Sequence, residues 1–356
     1  MTGKPGSGKP GTIVTRSLLE RLPKAELHCH LDGSVRPETL LELGREYDVP
    51  MPRDDAEALR DYMIVRDARS LEDYLSRFAV TLSVMQTAEA LERIAYELAA
   101  DAAAEGVWYL ETRFAPNLNT RGKLTAAQAL ESAIRGLARA ERDHGIVSRV
   151  LVCALRTLAP SSSMEMARLA VDFRNSGVVG FDLAGAESAN PATVHAAAFE
   201  HARSHGVACT CHAGEGDGAG SVHDAIHGCC VDRIGHGTRL IEDAELTAWV
   251  NDRRIAVEVC LTSNVQTRAA RSLEEHPLRE YVRRGLNVVL NTDNRLMSGT
   301  TLTEEYELAS NLGLGFDELA RVALNGFESA FLHWDERQAM VARARTAIDA
   351  LRGTAA

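Results

Sequence analysis

Residues 23–33 read PKAELHCHLDG, a strand-like segment that ends in two histidines. In a β-strand, side chains two positions apart point to the same face, so His28 and His30 lie side by side where the strand ends. A His-x-His pair alone is a weak indication of a metal site, because a buried histidine is often only hydrogen-bonded. The pair gains weight from the other motifs that the chain can bring to the same point.

Three further motifs close apolar, β-branched runs much later in the chain. They read HAGE at 212–215, IGHG at 234–237 and NTDN at 291–294. Randomly placed histidines would not select the ends of such runs. Neutral imidazoles and a carboxylate are the ligands of a catalytic zinc ion that keeps an open coordination position. The four motifs together predict a zinc site that activates water for attack on an electrophilic carbon.

The strand-like runs alternate with segments of helical periodicity along most of the chain. We predict strands at 25–28, 107–114, 147–155, 178–183, 207–211, 232–234, 256–260 and 287–290, with helices between them such as 126–143, 191–205 and 240–252. Eight strand–helix units predict an α/β fold of the (β/α)8 TIM-barrel type, whose functional residues lie at the carboxyl ends of the strands. A doubly wound sheet is the alternative, but it would not bring four separate strand ends to one point so naturally.

Two parts of the chain depart from this alternation. The connection from the first strand to the second is unusually long and contains several amphipathic helices, which we interpret as an insertion at the mouth of the barrel and a candidate lid. Helical segments at 303–311, 316–324 and 336–352 follow the last strand and are expected to close the barrel. We therefore predict a single metal-dependent hydrolase domain over residues 17–356.

Residues 1–16 are rich in glycine, proline and lysine and are predicted to form a disordered tail. Gly3 through Lys9 resembles a phosphate-binding loop. However, Pro10 stands where Ser or Thr is required and no strand precedes the segment, so we discount that reading.

Composition excludes several classes of function. Lys and Arg number 39 against 50 Asp and Glu, a net charge of -11, which disfavours non-specific binding to nucleic acid or to anionic membranes. No apolar run reaches the roughly 20 residues that span a bilayer, and the first 16 residues lack the hydrophobic centre of a secretory signal. Seven cysteines make an odd number without a framework, and Cys153, Cys209, Cys211 and Cys260 lie in apolar runs where a buried thiol is expected. A cytoplasmic location is the default expectation.

The residues of the four motifs suggest distinct roles. Glu215 lies three positions past a histidine, close to the metal but not on it, where a carboxylic acid can protonate a substrate nitrogen. His236 can hold the hydroxide in line or take its proton, and both readings remain open. The protein ligands of a single divalent metal ion, most simply zinc, would be His28, His30, His212 and Asp293.

Other histidine pairs and the lysines argue for this single site. His223 with His227, and His201 with His205, have the spacing of helical metal ligands but no third ligand, so we interpret them as helix-surface histidines. Some barrel hydrolases bridge two metals with a modified lysine at the end of the fourth strand, but residues 178–183 contain none. The lysines of the chain are Lys4, Lys9, Lys24 and Lys123.

In order along the chain, these motifs resemble the adenosine deaminases of the amidohydrolase superfamily. The matching segments are 23–33, DLAG at 182–185, HAGE at 212–215, RIGHG at 233–237 and LNTD at 290–293. The resemblance implies a mononuclear zinc enzyme that deaminates adenosine and 2′-deoxyadenosine to inosine and deoxyinosine, releasing ammonia. A purine nucleoside would be its small-molecule partner, and the chain would act as a monomer or small homo-oligomer.

The resemblance also implies residue roles. Glu215 would give a proton to purine N1, and His236 with Asp293 would orient the hydroxide that attacks C6. Asp32 would bind a ribose hydroxyl, and the backbone N–H of Gly185 would meet N3. The substrate-contacting set implied in this way is His30, Asp32, Gly185 and Asn294. An apolar gate over the purine would consist of Leu71, Tyr74, Leu75 and Phe78, although their helical spacing also fits an ordinary amphipathic face packed on the barrel.

Asn294 departs from the family pattern. Better-known members have a second aspartate at this position, which must be protonated to donate to purine N7, and the next residue here is Arg295 rather than proline. An amide NH₂ donates a hydrogen bond without a raised pKa, so we expect Asn294 to serve purine N7. The departure leaves a second reading open, in which the substrate is another 6-aminopurine: adenine, an N6-substituted adenine or aminofutalosine. A third reading, a catalytically inactive barrel that binds nucleosides, is disfavoured because the motif residues are intact.

Overall fold

The structure is a computed structural model that describes residues 13–66 and 71–354. Its strands are β1 (Lys24–His30), β2 (Val107–Phe114), β3 (Val147–Leu155), β4 (Val178–Ala184), β5 (Ala208–Ala213), β6 (Arg233–His236), β7 (Ala256–Val259) and β8 (Val288–Leu290). The predicted bounds of β2 and β3 are confirmed, and the other predicted strands are displaced by no more than a few residues.

The eight strands form one parallel sheet in the order β1 to β8. The sheet closes between β1 and the segment after β8, where Cys29 bridges to Asp293. The His30 N–H donates to the Asp293 carbonyl over 2.7 Å, and the Asp293 N–H donates to the His28 carbonyl over 2.9 Å. The predicted (β/α)8 barrel is confirmed. The backbone hydrogen bonds that close it are formed by residues of the predicted metal site.

Helices surround the barrel. They are α1 (Arg16–Arg21), α2 (Pro37–Glu46), α3 (Ala56–Met63), α4 (Leu71–Leu75), α5 (Phe78–Val84), α6 (Ala88–Ala104), α7 (Ala126–His144), α8 (Pro160–Asp172), α9 (Ala196–Ser204), α10 (Ala219–His223), α11 (Ala244–Asp252), α12 (Leu261–Gln266), α13 (Leu278–Arg283), α14 (Leu302–Asn311), α15 (Phe316–Ser329) and α16 (Trp334–Thr354). The predicted insertion after the first strand corresponds to α2 through α6, and the three helical segments after the last strand are α14 through α16.

Two predicted helices are shorter than expected because each begins with a separate 3₁₀ turn. The segment predicted as one helix, 240–252, begins with a 3₁₀ turn, Thr238–Glu242. The α-helix α11 begins after it, at Ala244, with Asp243 as its N-cap. Asp243 has an extended backbone and its side chain accepts from the Leu246 N–H, which is the geometry of a helix N-cap. The predicted helix 191–205 likewise divides into a 3₁₀ turn, Ala192–His195, and α9.

The first helix lies at the amino-terminal end of the described residues. Thr15 caps α1, which begins at Arg16, one residue inside the predicted tail. Arg16 forms an ion pair with Glu307 at 2.8 Å. Residues 1–12, including the Gly3–Lys9 segment, lie outside the described residues. The extent of the tail and of the domain therefore stays a prediction.

All seven cysteines are free, and the four predicted to be buried thiols are buried. None of the helices in the described ranges has the length and apolar character needed to cross a bilayer.

Charged side chains fill part of the barrel interior beneath the mouth. Arg113 on β2 lies 3.0 Å from both Asp182 of β4 and Glu258 of β7. Arg233 on β6 lies 2.6 Å from Glu258 and also pairs with Glu111 of β2. All five side chains are buried, and we call them the interior charge cluster. A buried charge is tolerated only when it is paired, so this cluster is a structural support for what lies above it.

Candidate active site

The strand ends bring the predicted metal-site residues together at the carboxyl end of the barrel. We call the buried set His28, His30, His212, His236 and Asp293 the histidine–aspartate cluster. Potential ligand atoms of His28, His212, His236 and Asp293 all lie within 4.8 Å of one another. His30 Nε2 lies 3.1 Å from His212 Nε2 and 3.4 Å from Asp293 Oδ1. Four elements of the barrel thus converge on one point.

Carboxylates behind two of the imidazoles set which ring nitrogen faces inward. His28 Nδ1 lies 2.8 Å from Glu258 Oε2, and His212 Nδ1 lies 3.3 Å from the Asp182 carboxylate. An ionised carboxylate can only accept a hydrogen bond, so Nδ1 carries the proton and donates it, and Nε2 keeps its lone pair. His28 Nε2 is buried and makes no well-formed hydrogen bond, and it lies 3.2 Å from Asp293 Oδ1, the carboxylate of the same cluster. Lone pairs that converge in this way fit a divalent cation.

The structure does not single out four ligands from the five residues. The prediction of His28, His30, His212 and Asp293 as the ligands stays a prediction, because His236 lies as close to Asp293 and to the other imidazoles as a ligand would. The hydrogen bonds behind His236 differ from those behind His28 and His212, because an amide of Asn264 lies behind His236 and carboxylates lie behind the other two.

Two residues of the cluster have strained backbones. His236 and Asp293 have φ values of 58° and 60°, in the left-handed region that non-glycine residues rarely adopt. Asp293 is held by the barrel-closing hydrogen bonds and by Ser263, whose hydroxyl donates to Asp293 Oδ2 over 2.6 Å. Such strain persists only where the surroundings enforce it, and it concentrates at functional sites.

Glu215 lies in the loop after β5, with its carboxyl group buried next to the cluster. Its Oε2 lies 3.5 Å from His236 Nε2. Burial, and then the negative charges of Asp293 and Glu187, raise the pKa of Glu215 well above its ordinary value. A buried glutamic acid with a raised pKa is suited to donate a proton to a bound molecule.

Glu187 fixes the loop that carries Glu215, and the sequence analysis missed it. Its carboxylate accepts from the backbone N–H groups of Gly214, Glu215 and Gly216 over 2.7, 2.9 and 2.6 Å, and from the Ser221 hydroxyl. The only signal in the sequence is its position, two residues past the DLAG motif that ends β4. Periodicity could not show that this carboxylate reaches the next strand end.

A cavity of about 340 Å³ opens beside the cluster. His30, Asp32 and Gly185 line it, so three of the four predicted substrate-contacting residues face the same space. Leucine side chains 75, 82, 118 and 155 give it a largely apolar wall. Asp32 Oδ1 is buried without a partner, and burial together with the charge of Asp293 raises the pKa of Asp32 to about 7. An apolar pocket with a few convergent polar groups is the usual form of a small-molecule site.

The predicted gate residues take two different positions. Leu75 and Phe78 line the cavity, and the Phe78 ring lies edge-on to His30 with 6.2 Å between the ring centroids. Leu71 instead lies against Gly216 in the loop of Glu215, where a Cβ on the glycine would be 3.1 Å from Leu71 Cδ2. Tyr74 is buried and turned toward the segment after β8.

Asn294 is buried in that segment and bonded to Tyr74. Its Nδ2 donates to the Tyr74 hydroxyl over 3.1 Å, and that hydroxyl lies 3.0 Å from Ser298 Oγ. Asn294 Oδ1 has no partner and faces Gly33, where a Cβ would lie only 1.7 Å away. Asn294 is not among the residues that line the cavity. Its predicted contact with the substrate therefore stays a prediction, while its link to the inserted helix α4 is a feature of the structure.

The histidine pairs discounted from the sequence lie away from the cluster. His223 and His227 are exposed, and His205 is exposed with His201 half-buried at the end of α9. Lys24 is buried, and its ammonium donates to the carbonyls of Leu19 and Leu22, which gives it a structural role.

Comparisons with known proteins agree with this geometry. The family model described as adenosine deaminase matches residues 23–347. An adenosine deaminase from Mycobacteroides abscessus is 43% identical over 342 residues, covering 91% of this chain and 94% of the relative. An adenosine deaminase from Mycobacterium tuberculosis is 42% identical over 347 residues, covering 92% and 94%.

Solved structures with the same fold include several deaminases. An amidohydrolase from Burkholderia ambifaria with bound Zn superposes with a TM-score of 0.86 at 28% identity, covering 98% of this chain and 97% of that chain. An adenine deaminase from Arthrobacter aurescens gives a TM-score of 0.85 at 26% identity, covering 92% and 99%. The N6-mAMP deaminase from Arabidopsis gives 0.81 at 29% identity, covering 94% and 99%. On the family match and the level of identity to its curated relatives, the chain belongs to the adenosine deaminase family.

Proposed function

We propose that this protein catalyses the hydrolytic deamination of adenosine and 2′-deoxyadenosine to inosine and deoxyinosine, with release of ammonia. The observation that carries the proposal is the placement of Glu215, the histidine–aspartate cluster and the Asp32-lined cavity around one point at the barrel mouth. Relatives at 42–43% identity that are named adenosine deaminase support it.

His28, His30, His212 and Asp293 are the residues that would hold the metal ion, and their nitrogen and oxygen donors favour zinc. Zinc in such a site acts as a Lewis acid that lowers the pKa of water to about 7. The carboxylates of Glu258 and Asp182 contribute by keeping the Nε2 lone pairs of His28 and His212 directed at the ion.

Glu215 would supply the proton that makes the purine reactive. Its raised pKa favours the protonated carboxyl group, and protonation of purine N1 makes C6 electrophilic. Glu187 holds the loop so that the acid stays beside His236 and cannot turn away to solvent. His236 and Asp293 would orient the attacking oxygen toward C6.

Asp32 and Gly185 would bind the nucleoside from the other side of the cavity. A buried carboxylate with one unpartnered oxygen is left unsatisfied by a free base and satisfied by a ribose hydroxyl. Asp32 is thus the observation that favours a nucleoside over free adenine. Phe78 and Leu75 would cover the apolar face of the purine.

A second candidate is a deaminase of another 6-aminopurine, such as adenine, an N6-substituted adenine or aminofutalosine. Asn294 in place of the second aspartate favours it, because the Asn294 amide is tied to Tyr74 of the inserted helix and need not present the same donor to the base. Structural neighbours described as adenine and N6-mAMP deaminases show that the fold carries these activities in other proteins.

A spectrophotometric substrate panel tests the proposal. We expect the highest kcat/KM for adenosine and deoxyadenosine, with adenine, N6-methyladenosine and aminofutalosine well below them. The Glu215→Gln variant, run in parallel, serves as the blank for contaminating deaminase. A clear preference for any of the last three compounds would replace the proposal with the second candidate, and no turnover of any would overturn both.

A further inference from the structure

A chain of buried hydrogen bonds runs outward from His236 to the backbone. His236 Nδ1 lies 2.9 Å from Asn264 Nδ2, and Asn264 Oδ1 lies 3.1 Å from His276 Nε2. The chain ends at the backbone N–H of Leu278, which donates to His276 Nδ1 over 3.0 Å. All three side chains are buried, so water does not compete for these bonds.

The direction of every bond in this chain follows from its last member. A backbone N–H can only donate, so His276 Nδ1 must be an acceptor. Burial lowers the pKa of His276 to about 3, so the ring is neutral and its one proton sits on Nε2. That Nε2–H donates to Asn264 Oδ1, which turns the Asn264 NH₂ toward His236. His236 Nδ1 is therefore an acceptor, and the His236 proton resides on Nε2.

We propose that Asn264 and His276 are positioning residues that hold His236 as the Nε2–H tautomer, so that it donates a hydrogen bond into the site and does not ligate the metal. The inference rests on the proposed function for the identity of the attacking oxygen that receives this bond. It resolves the two readings of His236 left open by the sequence: the neutral ring orients that oxygen as a donor and has no lone pair with which to take its proton.

His28 and His212 differ from His236 in the group that forms a hydrogen bond with Nδ1. His28 and His212 have carboxylates behind Nδ1, which require a proton there and leave a lone pair on Nε2 for the metal. His236 has an amide NH₂ behind Nδ1, which requires a lone pair there and leaves a proton on Nε2. Three similar imidazoles in one cluster are thus divided into two ligands and one donor by what lies behind them.

One short helix presets this arrangement. Ser263 and Asn264 are neighbours on α12. Ser263 forms a hydrogen bond with Asp293, and Asn264 forms one with His236. Glu305 accepts from the backbone N–H of Leu261 over 2.7 Å at the start of the same helix and also bonds Thr262. The orientation of Asn264 is therefore fixed from both sides, by α12 and by His276.

The test is the tautomer of His236 itself, read by two-bond ¹H–¹⁵N correlation NMR on ¹⁵N-histidine-labelled, zinc-loaded protein. The His236 signals are assigned by their loss in a His236→Gln variant. We expect the Nε2–H form in the wild type. In Asn264→Asp, a carboxylate that can only accept should switch His236 to the Nδ1–H form and lower kcat about 10²–10³-fold, the usual cost of one lost transition-state donor. KM and zinc content should change little.

Matched variants separate positioning from folding. His276→Gln keeps a donor to Asn264 Oδ1 and should retain the tautomer and most of the activity, whereas His276→Leu should lose both in part. Asn325→Asp makes the same amide-to-carboxylate change at a buried site outside this chain, where Asn325 Nδ2 binds the Val288 carbonyl, and should leave the His236 signals unchanged. Nδ1–H or doubly protonated His236 in the wild type, or an unchanged tautomer in Asn264→Asp, would overturn the inference. A correct tautomer in a protein that deaminates no purine would instead overturn the proposed function.

Discussion

Two buried polar clusters occupy the same barrel, one above the other, and they differ in how their charges are paired. In the interior charge cluster, each guanidinium faces two carboxylates at hydrogen-bond distance. In the histidine–aspartate cluster above it, two ring nitrogens face each other at 3.1 Å, and Asp293 Oδ1 is the nearest charged group to both His28 Nε2, at 3.2 Å, and His30 Nε2, at 3.4 Å. Equal burial therefore has different meanings: in the first cluster, pairing offsets the cost of burying each charge, whereas in the second the ring nitrogens converge in the way that fits a metal ion. Glu258 belongs to the first cluster and orients a histidine of the second, so it is where the two can be tested against each other.

The largest change in activity is expected from a substitution of Glu215, which should lower turnover without loss of the metal ion or of nucleoside binding. Glu215→Gln should lower kcat for adenosine by at least about 10²–10⁴-fold, because general acid catalysis is worth that much, while zinc content and nucleoside binding persist. Steady-state kinetics with metal analysis on the same sample measures this. Turnover within tenfold of the wild type would remove Glu215 from the role of acid.

The pH profile checks the same residue independently. The pKa of Glu215 is raised in the folded protein, so the acid form is complete at low pH and is lost as pH rises through the raised value. We therefore expect kcat to have a descending alkaline limb.

The second prediction concerns a substitution in the interior charge cluster, which should lower the free energy of unfolding. Arg113→Met leaves Asp182 and Glu258 buried without their shared cation, which should lower the free energy of unfolding by about 3–5 kcal/mol. Denaturant unfolding of the metal-free protein measures the loss. A surface pair such as Arg283 with Glu280 serves as the control, since Arg283→Met should cost less than about 1 kcal/mol. Comparable losses in the two variants would show that the interior pairs are not structural.

The third prediction concerns Glu258, which belongs to the interior charge cluster and also forms a hydrogen bond with His28 of the histidine–aspartate cluster. Glu258→Gln keeps the size of the side chain but removes the charge that accepts from His28 Nδ1, so it should weaken zinc binding about 10–100-fold. Competition with a chromophoric chelator gives the affinity. The account would be wrong if zinc affinity were unchanged while the free energy of unfolding fell, because Glu258 would then serve only the lower cluster.

The smallest effect concerns Asp32, the cavity residue whose carboxyl group has one oxygen without a hydrogen-bond partner. Asp32→Asn should raise KM for adenosine about tenfold and leave the slow turnover of free adenine unchanged, because only the nucleoside reaches this group. An equal change for both substrates would place the ribose elsewhere.

The stability of the same variant has a defined pH dependence. The pKa of Asp32 is raised from 3.8 to about 7 in the folded protein, so wild-type stability falls as pH rises from about 4 to 7. Asp32→Asn lacks this titration, so its advantage over the wild type should grow over that range and then level off. Urea unfolding at several pH values measures it.

The sequence predicts the barrel well because its signals are local. Strands β2 and β3 are mainly apolar segments rich in β-branched and aromatic residues, and their predicted limits coincide with the structure; strand-end histidines are visible as motifs. Helix limits are less certain where a single cap decides them, as Asp243 does at α11. Strand β8 is shorter than predicted, since Asn287 precedes it and donates to the Arg254 carbonyl.

The long-range partners of the site could not be predicted in this way. Periodicity shows that His28, His212 and His236 end neighbouring strands, but not that a carboxylate lies behind the first two and an amide behind the third. Glu187, Glu258 and His276 reach the site from other elements, so only the closed barrel shows their roles. Whether a histidine can act as a metal ligand depends on these hydrogen-bond partners more than on the motif in which it occurs.

The central claim is that the histidine–aspartate cluster binds one metal ion and that this ion is required for deamination. The most direct test is a zinc titration of metal-free protein, with adenosine deamination measured at each addition. We expect negligible activity at the start, a linear rise and a break at one zinc per chain. Full activity without metal, or a break at two ions per chain, would contradict it.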